Sequence, residues 1–248
     1  MTICNERLGA GYLLEGMMST TSREQIDIDL SGVVLPGDLV CPPRATGLVL
    51  FAHGSGSSRL SPRNRYVAGH LNHAGIATLL TDLLLAEEDV GPARRFDIGL
   101  LAARLEGITR AVRGMAQLGQ LRLGYFGAST GAAAAIRAAA LTGGGYRIDA
   151  VVSRGGRPDL AGHDALAALS APTLLIVGGA DTEVLHLNER AYTWMSCEKH
   201  FEIVAGATHL FEEPGALEVV ARLAGGWFAT HLAGRRGADP ATGEQETS

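Results

Sequence analysis

Residues 121–140, LRLGYFGASTGAAAAIRAAA, constrain the fold more than any other part of the chain. An apolar run there passes straight into Gly127-Ala128-Ser129-Thr130-Gly131 and on into an alanine-rich helix. A serine on a sharp strand-to-helix turn, with glycine two positions to either side, is held exposed at the edge of a parallel sheet. The glycines leave room where the turn strains the backbone, and alanines 132–135 let the following helix lie close to the sheet. Ser129 is therefore the candidate nucleophile; its plainer role is the N-cap of the helix.

The rest of the chain repeats the alternation that this segment starts. Ile26, Ile28 and Leu30 alternate with polar neighbours, and Pro36-Gly37-Asp38 reads as a turn before residues 39–41, which predicts an antiparallel hairpin at a sheet edge. Continuous apolar runs at 47–52, 76–80, 121–126, 150–153, 173–177 and 201–204 predict strands covered on both faces. Between them, Ile98, Leu101, Leu105, Ile108, Val112 and Met115 fall on one helical face. Pro214 opens a second helix with Leu217, Val220, Ala224 and Trp227 along one stripe. Buried strands alternating with amphipathic helices predict an α/β fold with a mostly parallel, doubly wound sheet.

The 248 residues suffice for one such domain, placed at 24–232. Residues 1–23 are expected to be a loose extension, with Met17 and Met18 as alternative starts. Residues 233–248, rich in Gly, Pro, Thr and charge, are expected to be disordered.

Serine chemistry needs a base, a carboxylate to orient it, and donors for the oxyanion. Asp181 follows the run Thr173–Val177 and a glycine turn, which places it at the carboxyl edge of the sheet. Its plainer role is to cap a helix near Val184, and Glu183 is the nearest substitute. His209 lies in a loop after the last strand, where a base can swing over that edge, whereas six of the other seven histidines are expected on the surface or on helices. The order Ser129, Asp181, His209 is that of α/β-hydrolases. The His53-Gly54-Ser55-Gly56 loop follows another buried strand, and the amides of Ser55 and Thr130 are the expected oxyanion pair. Neither G-x-x-x-x-G-K-[ST] nor G-x-G-x-x-G occurs there, which argues against a phosphate-cradling loop.

Together HGSGSS, GASTGAAAA, GGAD and GATHLF resemble the α/β-hydrolase superfamily, and within it the dienelactone hydrolase-related branch, over roughly residues 24–232. The resemblance implies a hydrolase fold with a Ser-His-Asp triad. Dienelactone hydrolases carry cysteine at the elbow where this chain has Ser129, so their lactone substrate is not carried over.

Composition narrows the partners. A net charge of -5 and a single lysine exclude a phosphate-neutralising nucleic-acid surface, and no apolar run is long enough to span a bilayer. The scattered Cys4, Cys41 and Cys197 predict reduced thiols in a cytoplasmic protein, without disulfide or zinc spacing. No secretory signal, cofactor or metal is expected. The short 154–172 segment predicts a minimal cap, and 5% aromatic residues argue against a large acyl tunnel, so the expected substrate is a small soluble ester or lactone. Arg59 and Arg154 are candidate partners for a substrate carboxylate, with a solvated arginine as the plainer reading of each. Thioester hydrolysis, acyl transfer and noncatalytic ligand binding are the alternatives.

Overall fold

A computed structural model describes residues 20–141 and 145–233. The expectations for the N-terminal segment up to residue 19, for both methionine starts and for the tail from residue 234 lie outside those residues. Eight strands form one sheet: β1 (Ser22–Asp29), β2 (Val34–Cys41), β3 (Gly47–Ala52), β4 (Ala77–Thr81), β5 (Arg122–Ala128), β6 (Ala150–Arg154), β7 (Thr173–Gly178) and β8 (Lys199–Val204). Their order is β1-β2-β4-β3-β5-β6-β7-β8. The β1–β2 and β2–β4 pairings are antiparallel and all the others parallel.

The helices are α1 (Pro62–His73), α2 (Pro92–Arg95), α3 (Ile98–Arg113), α4 (Thr130–Ala140), α5 (His163–Ala168), α6 (Thr182–Trp194) and α7 (Ala216–His231). Alternation along the strands sorts the core into two layers. Leu48 and Leu50 of β3 face Leu101, Leu105 and Ile108 of α3 and the alanines of α4. Val49 and Phe51 face the other way, toward Val67 and Leu71 of α1 and Val220, Ala224 and Phe228 of α7. Each such fully buried large side chain contributes about 1.5–3 kcal/mol.

The hairpin forms as expected, but its turn does not fall at Pro36-Gly37-Asp38. It falls at Ser31 and Gly32, both at positive φ, where Asp29 Oδ1 accepts the two backbone N–H groups. Pro36 instead lies inside β2. A proline there is tolerated because the β2–β4 ladder begins one residue later, at Gly37, so no acceptor on that side requires its missing N–H. Met115 also falls outside its expected helix, which ends at Arg113 with its cap at Gly114.

The segment between β4 and α3 is braced by a two-pronged ion pair. Arg104 donates to both Glu88 oxygens at 2.8 and 2.6 Å, and Glu88 Oε2 also accepts the Leu85 N–H at 2.9 Å. The Arg104 guanidinium holds the Glu88 carboxyl below the usual carboxylate range. A depressed folded-state value means that the pair's stabilisation is present above the unfolded-chain value of about 4.3 and is lost as pH falls through the lower folded value. Glu88→Gln is thus expected to lower Tm at pH 7, with the difference from wild type shrinking in acid; parallel pH–Tm curves would contradict this.

Among the described residues no helix is long and apolar enough to cross a membrane. Cys41 and Cys197 are free thiols, both pushed up in pKa by burial.

Candidate active site

Ser129 stands between β5 and α4 with φ 50° and ψ -123°, a conformation that L-residues rarely adopt and that clusters at functional sites. Close approach explains the glycines around it. A Cβ on Gly127 would lie 2.4 Å from Ala132 Cα, and one on Gly131 would lie 2.2 Å from the Ala52 carbonyl oxygen. Ser129 occupies the N-cap position of α4, yet its hydroxyl makes no capping bond.

The same holds for Asp181 at the head of α6, whose carboxylate accepts no helix amide. Its Oδ2 instead lies 2.7 Å from His209 Nδ1, and His209 Nε2 lies 3.3 Å from Ser129 Oγ. Three side chains from the ends of β5, β7 and β8 therefore form one hydrogen-bonded line at the carboxyl edge of the sheet. Asp181 is the more sheltered end and His209 the more open. The histidine loop is pinned below by Ala207 and Phe211, both fully buried.

The expected oxyanion loop passes close beside the nucleophile: a Cβ on Gly54 would lie 2.9 Å from Ser129 Cβ. The N–H of Thr130, in the first turn of α4, has no intrahelical acceptor. The Ser55 N–H, by contrast, donates to Thr130 Oγ1 at 2.8 Å. That bond joins residues 75 positions apart and has no local sequence signal.

His53 is the residue that sequence reasoning missed. It is buried, and its Nε2 accepts the Leu83 N–H at 3.0 Å, so Nδ1 carries the proton and donates to the Gly54 carbonyl at 3.0 Å. The ring thereby ties the Gly54–Ser55 loop to the segment after β4. An oxyanion role for the Ser55 amide predicts that His53→Ala lowers kcat about tenfold or more while KM changes little, because a donor to developing charge acts mainly in the transition state. Equal effects on kcat and KM would contradict that role.

The two arginines part company. Arg59 is committed to Asp82, through both its backbone N–H and its guanidinium, with Asp38 3.5 Å from its Nε. Contrary to the expectation from sequence, its charge is thus met by two carboxylates of the protein rather than left free for a substrate carboxylate. Arg154, at the end of β6 beside the elbow, is buried without such a pair. Over residues 154–172 the chain forms only a 3-10 turn at Pro158–Ala161 and the six-residue α5, which is a minimal cap.

This sheet order, with a strained serine turn after the fifth strand, defines an α/β-hydrolase. No protein-family model matches the chain. A dienelactone hydrolase of known structure from Anabaena variabilis is 52% identical, with a TM-score of 0.81, covering 86% of this chain and 99% of that one. The chain belongs to the dienelactone hydrolase family of α/β-hydrolases. Est1E from Butyrivibrio proteoclasticus shares the fold at 15% identity, with a TM-score of 0.71 over 84% of this chain and 98% of its own. A Mycobacterium tuberculosis protein provisionally described as a phosphoribosyl transferase is 54% identical over 211 residues, 85% of this chain but 47% of that protein. The chain thus spans about half the length of that relative.

Proposed function

We propose that the chain hydrolyses a small carboxylic ester or lactone through an acyl-enzyme on Ser129. The observation that carries this reading is the Asp181–His209–Ser129 line, with bonds of 2.7 and 3.3 Å, ending on a serine at φ 50°. Asp181 accepts from Nδ1 and so leaves Nε2 as the base facing the hydroxyl. His209 takes the Ser129 proton as Oγ attacks the carbonyl carbon, and the resulting oxyanion is held by the N–H groups of Thr130 and Ser55. For the second donor, the oxyanion replaces Thr130 Oγ1 as the acceptor of the Ser55 N–H. Collapse expels the alcohol, protonated by His209; water, deprotonated by the same imidazole, then attacks the acyl carbon and frees the acid and Ser129.

The minimal cap favours compact substrates. Thioester cleavage would use the same groups. A panel of oxygen esters, lactones and acyl thioesters, with Ser129→Ala as the blank, tests the reading. It predicts Ser129-dependent turnover of an oxygen ester or lactone; thioesters alone as substrates, or turnover surviving in the blank, would contradict it.

A further inference from the structure

Arg154 beside the elbow and Arg63, whose charge it feels, leave three guanidinium nitrogens without an acceptor among the described residues. Among the described residues, Arg154 Nε and Nη1 are buried and have no hydrogen-bond partner, and neither has Nε of Arg63 in the first turn of α1. No carboxylate pairs with Arg154 among the described residues. Its neighbour is an aromatic face: the guanidinium carbon lies 5.8 Å from the ring centroid of Phe211, two residues past His209. Among the described residues Arg63 pairs with Glu212 alone, at 2.7 Å, and that carboxylate is 62% exposed, which makes the bond weak and easily exchanged.

Burial, and after it the charge of Arg63, push Arg154 down to about 10. A buried cation that feels a second cation and lacks a counter-charge is costly to keep. The arginines at 59, 104 and 157 in the same region each have a carboxylate; Arg154 does not.

Its location ties Arg154 to the reacting serine. The Arg154 carbonyl accepts the Ser129 N–H at 3.3 Å, and Arg154 stands opposite Ala128 in the β5–β6 register. Its backbone is therefore one strand spacing, about 4.8 Å, from the elbow. Ser153 faces α4, where a Cβ on Gly156 would strike both its hydroxyl and Ala132. By alternation, Arg154 points to the opposite face, toward Phe211 and the start of α1.

We propose that Arg154 and Arg63 form an anion subsite and that the substrate is a carboxylic ester or lactone carrying a phosphoryl group, seated there while its carbonyl meets Ser129. This rests on the hydrolase reading above and adds the substrate class. Two positive charges suit a phosphoryl dianion better than a single carboxylate. Its terminal oxygens can also accept from the guanidinium nitrogens that lack acceptors.

The test has two arms. In the first, titration calorimetry measures inorganic phosphate binding to wild type and to Ser129→Ala, which needs no turnover; binding to both is expected, and its loss in Arg154→Met. In the second, kcat/KM is compared for matched small esters that are neutral, carboxylate-bearing or phosphoryl-bearing. The phosphoryl ester is expected to be preferred over the neutral one by about tenfold or more. Arg154→Met should remove that preference, and Arg154→Lys should restore it in part, since lysine keeps the charge without the fork. Should Arg154→Met fail to fold, Arg63→Gln, at a partly exposed site, should reduce the same preference. No phosphate binding, no preference in wild type, or an equal preference for the carboxylate ester would overturn the proposal. If no ester turns over and a fluorophosphonate leaves Ser129 unmodified, the hydrolase reading fails, and phosphate binding alone then decides whether the subsite exists.

Discussion

Ser129→Ala is expected to reduce turnover by about 10⁴-fold or more while leaving Tm and substrate binding close to wild type. The serine hydroxyl makes no capping bond to α4, so its removal costs the helix nothing there. Its one side-chain partner among the described residues is His209 Nε2 at 3.3 Å, a partly exposed bond whose loss leaves no buried orphan. The turn is held by the backbone: the Ser129 N–H bonds the Arg154 carbonyl, and the Ser129 carbonyl accepts from Ala132 and Arg157. These bonds survive the substitution. Steady-state kinetics beside thermal melting checks the prediction. A large drop in Tm, or retention of a tenth of the activity, would contradict a purely chemical role.

Gly131→Ala is expected to be the most damaging single methyl group in the fold, destabilising by about 3 kcal/mol or more or preventing folding. The added Cβ would sit 2.2 Å from the Ala52 carbonyl oxygen and 2.5 Å from that of His53, both rigid backbone atoms of β3 and the loop after it. Relief requires α4 to move off the sheet, which would also pull Ser129 from its place. Gly226→Ala, on the exposed face of α7, meets nothing within 4 Å and is the matched control. There the substitution should stabilise by up to about 1 kcal/mol through helix propensity. Urea unfolding of both variants checks the pair; similar values for the two would show that close approach at the elbow is not limiting.

Local chemistry was the most legible in the sequence. The strand runs at 47–52, 150–153 and 173–177 fall within one residue of the observed β3, β6 and β7, since a strand buried on both faces must be apolar throughout. The elbow was legible for the same reason, its glycines answering to contacts within a few residues and with the neighbouring strand. Pro36-Gly37-Asp38 misled because turn chemistry is local, whereas a proline in a strand is allowed or forbidden by what lies across the ladder. Helix α1 leaves little signal in the sequence: it opens on the polar Pro62-Arg63-Asn64-Arg65 and buries only Asn64, Val67, Ala68 and Leu71, so it carries little periodicity. Arg59 and Arg154 were indistinguishable in sequence, because the carboxylates that occupy Arg59 come from β2 and from the segment after β4. The bond from Ser55 to Thr130, and the role of His53 as an anchor, are likewise tertiary and leave no trace in local spacing.

In the proposed mechanism the His209 imidazole makes the Ser129 hydroxyl reactive. The most direct measurement is the rate at which a fluorophosphonate modifies Ser129, followed by intact-mass and peptide mass spectrometry in wild type and in His209→Ala. The account predicts a single adduct on Ser129 in wild type and a rate lower by about 10³-fold or more in the variant. A folded wild-type protein that stays unmodified, or a variant that reacts as fast as wild type, would contradict it.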